Sequence, residues 1–117
     1  MPTSNIVVDE DGVGGGVVDI VGCDGFVNNG TPMEIDGHPQ NYSNLKSQCY
    51  FMLAEKINKG EVYVQTDDIH LKNNLIQELE QFKRKDIDKD GKLSIIPKEH
   101  IKQLIGRSPD YSDALMM

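Results

Sequence analysis

Asn5-Ile6-Val7-Val8-Asp9-Glu10-Asp11-Gly12-Val13-Gly14-Gly15-Gly16-Val17-Val18-Asp19 decides how the rest of the chain is read. Ile6-Val7-Val8 is a β-branched run of the kind that fills a strand buried on both faces. It ends in three acids and then in a glycine-rich turn. Ligands of open α/β sheets bind beyond the carboxyl ends of the strands. A strand that delivers Asp9, Glu10 and Asp11 there and turns on glycines therefore has the layout of a site. Glycine permits positive φ and close backbone approach, and Val13, Val17, Val18 and Val21 offer a following short helix one packed side. The same residues also describe a plain acidic turn between strand and helix.

A nucleotide cradle does not fit. The dinucleotide fingerprint needs Gly at its first, third and sixth positions, and counting from Gly12 the sixth is Val17. No GK[ST] follows, and three acids would repel a pyrophosphate.

The 117 residues are enough for one domain with a modest core. Mean hydropathy of −0.46 with 38% hydrophobic residues indicates a soluble class, and no apolar run approaches the ~20 residues of a membrane span. Nor is there the basic-then-apolar layout of a secretory signal. Cys23 and Cys49 are isolated and fit two reduced thiols in a cytosolic protein. His38, His70 and His100 form no ligand pair, and neither a serine nor a cysteine hydrolase signature occurs. The net charge of −7 is unevenly spread. Residues 1–40 carry seven acids and no Lys or Arg, whereas residues 83–107 carry eight bases against four acids. Such an acidic chain lacks the basic footprint of a free-standing nucleic-acid binder, yet suits a carboxylate site with local phosphate steering.

Outward from the first stretch, Gly25-Phe26-Val27 reads as a strand, and residues 28–43 as a long polar loop. Ser43 or Asn44 caps a helix running to about Asn58, with Leu45, Cys49, Met52, Leu53 and Ile57 on one apolar face and Gly60 beyond its end. Val62-Tyr63-Val64 reads as a strand. Leu71, Leu75, Leu79 and Phe82 mark a second amphipathic helix, closed by Lys83-Arg84-Lys85. Asp86 to Pro97 imitates a calcium loop, with acids at positions 1, 3 and 5 and Gly91 at position 6. Position 12 needs a bidentate Glu and holds Pro97, so Lys89-Asp90-Gly91-Lys92 reads as a hairpin turn before a strand at Leu93–Ile96. Pro97 opens another short helix ended by Gly106. Ser108 as N-cap with Pro109 at N1 opens the last one, residues 108–117, packed through Tyr111, Ala114, Leu115 and Met117.

Asp110 and Asp113 lie one turn apart on that last helix, a repulsion of about 0.2–0.5 kcal/mol that a cation would offset. Mg²⁺ or Mn²⁺ takes oxygen ligands and keeps several waters, so a few carboxylates from separate elements suffice. Two such ions about 4 Å apart can drive phosphodiester hydrolysis. Asp9 at a strand end and Asp113 in a late helix are the constellation such a site needs, provided that they meet.

Val8 to Asp19, Asn44-Leu45-Lys46-Ser47-Gln48 and Gly106 to Leu115, in that order, resemble the nuclease domain of the large terminase subunit of tailed bacteriophages. The similarity runs over essentially the whole chain and includes the Glu78-Leu79 helix and Lys98. It implies an α/β, ribonuclease H-like mixed sheet flanked by helices, and metal-dependent endonucleolytic cutting of concatemeric double-stranded DNA during packaging. It implies Asp9 and Asp113 as metal-binding catalytic acids, Asp110 as their assistant, Asp11 as a substitute ligand, and Mg²⁺ or Mn²⁺ as the ion. Lys46, Lys98 and Arg107 are candidates for DNA phosphate contact by charge.

The family's fold opens with a hairpin carrying another metal-binding aspartate and follows an ATPase motor. Neither is present here, so the expectation is a single partial nuclease domain over residues 1–117 with its first strands absent. Such a fragment is weak or inactive alone. The implied partners are double-stranded DNA, the missing part of the domain with its ATPase, the small terminase subunit, the portal, and another copy of the chain. Its implied location is the host cytoplasm. Two other readings stay open: a non-catalytic phage or prophage assembly module that keeps the fold, and a small calcium-binding protein built on residues 86–97.

Overall fold

The computed structural model describes residues 1–85 and 91–117. After a 3₁₀ turn at Thr3–Asn5 come β1 (Val7–Asp9), α1 (Gly14–Val21), β2 (Asp24–Phe26), α2 (Leu45–Asn58), α3 (Ile69–Gln81), α4 (Lys98–Ile105) and α5 (Asp110–Met116). β1 and β2 pair in parallel, with Val7 beside Asp24, Val8 beside Gly25 and Asp9 beside Phe26. Parallel strands need a crossover, and α1 is that crossover. It begins on the glycines themselves. Gly14 is buried, and a Cβ there would fall inside the Asp9 carbonyl, so only glycine lets the helix start so close to the strand end.

The expected burial of the opening strand and helix is not found. Val7 is 41% exposed, Val13 93%, Val17 46% and Val21 42%. A parallel sheet is normally covered on both faces, and here two strands with one crossover leave much of that surface open. The radius of gyration, 15.1 Å, accordingly exceeds the roughly 13.5 Å of a compact domain of this length.

The core lies elsewhere. Phe26, Tyr50 and Met116 are buried together, with Leu45, Cys49, Leu53 and Phe82 packed around them. Asn44 caps α2 as expected, its Oδ1 accepting from the Ser47 amide at 2.8 Å. The helix, however, buries Ser47, Gln48 and Tyr50, while Ile57 is 40% exposed. Leu45, Cys49 and Leu53 of the expected face do pack against the core, and Gln48 is buried beside them for a separate reason. Its side chain accepts from the Met33 amide at 2.6 Å and donates to the Met33 carbonyl at 2.9 Å, clamping the 28–43 loop to α2.

Val62–Val64 forms no strand, for among the described residues it has no ladder partner. Leu93–Ile96 is reduced to isolated bridges, Leu93 with Tyr42 and Ile95 with Arg84. The first five residues of the calcium-like segment 86–97, residues 86–90, lie outside the described residues, as does half of the expected turn. The last helix starts one residue later than expected, with Pro109 at the N-cap, and is rotated. Ser112 and Met116 are buried, whereas Tyr111 and Ala114 are exposed. Its inward face joins Met116, in the core, to Ser112, which meets Tyr50.

Candidate metal and nucleic-acid site

β1 ends at Asp9, and the turn folds back so that the Asp11 amide donates to Asp9 Oδ1 at 3.0 Å. Beyond the end of β2, the Asn28 side-chain amide donates to Asp11 Oδ2 at 2.6 Å and to Asp9 Oδ1 at 3.3 Å. One NH₂ group thus holds two carboxylates side by side, a task otherwise suited to a cation. The parallel register makes this possible, since Asp9 pairs with Phe26 and Asn28 follows two residues on. These three side chains line one wall of a cavity of about 530 Å³, and Lys46 and Lys98 line it as well.

Both lysines reach Asp113. Lys46 Nζ lies 3.4 Å from Asp113 Oδ1 and Lys98 Nζ lies 3.2 Å from Oδ2. Lys46 comes from the first turn of α2 and Lys98 from the start of α4, so three helices converge on one carboxylate. The Lys46 ammonium also sits 5.9 Å from the Tyr50 ring centroid and 6.0 Å from that of Phe82, over a stacked aromatic pair. Tyr50 donates its hydroxyl hydrogen to Asp113 Oδ1 at 2.6 Å. Burial, followed by the hydrogen bond to Asp113, pushes the Tyr50 hydroxyl far above its ordinary range, so it stays a donor.

The expected site residues therefore divide. Asp9 and Asp11 are held together, and Lys46 and Lys98 connect their cavity to Asp113. Asp110 is exposed at the start of α5. Arg107 turns to α3 instead, with Nη1 3.2 Å from Glu78 Oε1 and Nη2 3.1 Å from Gln77 Oε1. Among the described residues, no group of three or more His, Cys, Asp or Glu side chains is assembled to hold a metal ion. The donors present still suit a hard cation. Magnesium-type sites use one or two carboxylates and leave the remaining positions to water and phosphate, which the Asp9–Asp11 pair matches.

Asn28, Tyr50 and Glu78 are not evident from sequence. Asn28 lies within a polar loop full of asparagines, and its importance comes only from the strand register. Tyr50 is one turn after Lys46 on α2, a pairing visible at helical spacing. Glu78 is fully buried, but it is one of several polar residues in a helix with exposed neighbours, and nothing in the sequence marks it as inward-facing.

The chain has a mixed α/β fold with a small parallel sheet, and it matches part of a ribonuclease H-like terminase nuclease domain. Among solved structures, the chain is similar to the nuclease domain of the large terminase subunit gp2 of bacterial virus Sf6 (TM-score 0.72, 26% identity, 95% of this chain and 62% of that one). A lysine-to-alanine mutant of that domain with manganese and β-thujaplicinol gives a TM-score of 0.73 at 26% identity and the same coverage. A further mutant structure, with calcium, matches equally. The chain thus spans about 62% of the length of the nuclease domains it matches. No protein-family model and no curated protein matches it. No helix among the described residues is long and apolar enough to cross a membrane.

Proposed function

We propose that this chain supplies the acidic half of a metal-dependent endonuclease site in a bacteriophage terminase large subunit, acting on double-stranded DNA during packaging. The observation that carries the reading is the cavity shared by the Asp9–Asp11 pair and the two lysines that hold Asp113. Asp9 and Asp11, with Asp113 across the lysines, would hold Mg²⁺ or Mn²⁺. Such an ion supplies an activated water and charge stabilisation for phosphodiester hydrolysis. Lys46 and Lys98 attract the phosphate backbone, and they neutralise Asp113 until a phosphate competes for them. Tyr50 keeps hold of the Asp113 carboxylate while the lysines exchange partners. Asp110, exposed one turn earlier, would assist the metal or the water.

The open faces around β1 and α1 fit the further strands of a larger domain, and the chain by itself is expected to bind metal weakly and cut slowly. The test is a Mn²⁺ titration of the ¹⁵N-labelled chain. Paramagnetic broadening at Asp9, Asp11 and Asp113 that Asp9→Asn removes supports the site. Broadening confined to other acids, or none, defeats it. Plasmid nicking in Mn²⁺ then measures activity, with Asp9→Asn and Asp113→Asn as controls.

A second reading, an assembly module that retains the fold, draws on a mostly apolar groove of about 380 Å³ between α2 and α3, where Ile57 and Ile76 stay exposed. It requires that Asp9→Asn and Asp113→Asn leave phage assembly intact.

A further inference from the structure

The last helix carries Asp113 but has no cap of its own. Pro109 stands at its N-cap with no side-chain hydrogen bond to the first turn. The acceptor comes from α3. Glu78 is fully buried, and its Oε1 accepts from the Tyr111 amide at 3.1 Å and forms an ion pair with Arg107 Nη1 at 3.2 Å. A carboxylate at a helix N-terminus satisfies orphan amides and complements the helix dipole, and here it does so from a different helix.

Arg107 is anchored in turn to the Asn74 carbonyl and to Gln77 Oε1. Carboxylate and guanidinium therefore bind α3 to the connection that leads into α5. The other oxygen, Glu78 Oε2, has no hydrogen-bond partner among the described residues. A buried carboxylate with an unused oxygen is unfavourable, and an apolar side chain of that size would fill the space without that penalty. What the carboxylate adds is the rotation of α5. That rotation turns Ser112 inward, its hydroxyl oxygen 3.1 Å from that of Tyr50, and brings Asp113 to accept the Tyr50 hydrogen at 2.6 Å.

We propose that Glu78 is a positioning residue, which caps α5 from α3 and thereby delivers the Asp113 carboxylate to Tyr50, Lys46 and Lys98. Its purpose rests on the nuclease reading above, but its geometry does not. The test compares the wild-type 117-residue chain with Glu78→Ala and Glu78→Gln by NMR. In Glu78→Ala, amide exchange at Tyr111 and Ser112 is expected to speed up about fivefold or more, and the Tyr50 ring resonances to shift as the hydroxyl loses Asp113. Glu78→Gln keeps an acceptor for the Tyr111 amide and is expected to restore both signals to near wild type. Should the alanine variant unfold, Glu78→Leu removes the acceptor while filling the space.

An acceptor-free variant that folds with wild-type exchange at Tyr111 and Ser112 and unmoved Tyr50 resonances overturns the proposal. So does a glutamine variant that behaves like the acceptor-free one. Absence of Mn²⁺ broadening in the wild type would count against the nuclease reading alone, because the Tyr111 and Tyr50 signals need no metal.

Discussion

Tyr50 and Asp113, 63 positions apart, share a 2.6 Å hydrogen bond that joins the middle of α2 to the last helix. Through it, the aromatic core and the candidate site become one unit, since the same tyrosine ring stacks on Phe82 with centroids 3.9 Å apart. Tyr50→Phe keeps the stacking and removes the donor. A hydrogen bond to a charged group is worth about 1.5–3 kcal/mol, and loss of stability near the lower end is expected, with the lysines still holding Asp113. Urea unfolding measures it. A change below about 0.5 kcal/mol would mean that the bond contributes nothing net.

Gly14 and Gly16 stand two residues apart in α1 and should respond in opposite directions. A Cβ at Gly14 meets the Asp9 carbonyl, which is backbone and cannot step aside. Gly14→Ala is expected to destabilise by about 1–3 kcal/mol and to disturb the Asp9 resonance. A Cβ at Gly16 meets nothing within 4 Å, so Gly16→Ala should stabilise the helix by about 0.5–1 kcal/mol. Thermal melts of the two variants decide this, and equal shifts would refute the tight strand-to-helix approach.

Burial holds the Glu78 carboxyl above its ordinary range, with the Tyr111 amide and Arg107 opposing the shift. A folded-state value above the unfolded one means that the folded chain binds the proton more tightly. The stabilisation from this linkage is complete below the unfolded value near 4.5 and is lost as pH rises through the folded value. The stability of wild type relative to Glu78→Gln should therefore decline across that window. Denaturant titrations at several pH values test the sign, and a difference that grows with pH would contradict it.

Lys98 and Arg107 carry the same charge in very different settings. Lys98 lines the cavity, whereas Arg107 is occupied by Glu78, Gln77 and the Asn74 carbonyl. Removing a phosphate-contacting charge lowers the slope of log affinity against log salt by about one. Lys98→Gln and Lys46→Gln should each do so in DNA-binding titrations. Arg107→Gln should leave the slope unchanged and lower the melting temperature. A reduced slope for Arg107→Gln would place that arginine on the DNA.

Local chemistry carried much of this molecule without any tertiary information. Asn44 reads as a helix cap because its side chain can accept from an amide three residues on, and Gly106 ends α4 because its positive φ suits glycine. The β-branched run followed by acids and glycines likewise announces a strand end and a crossover. Tertiary structure alone decided which side of each helix faces in. Apolar periodicity in α2 and α5 points to stripes that the fold leaves half open, because Gln48 finds the Met33 backbone and Glu78 finds the Tyr111 amide. Those partners lie 15 and 33 residues distant, beyond the reach of any local pattern. A polar group that turns inward must find a partner, and only the folded backbone brings the two ends of such a bond together.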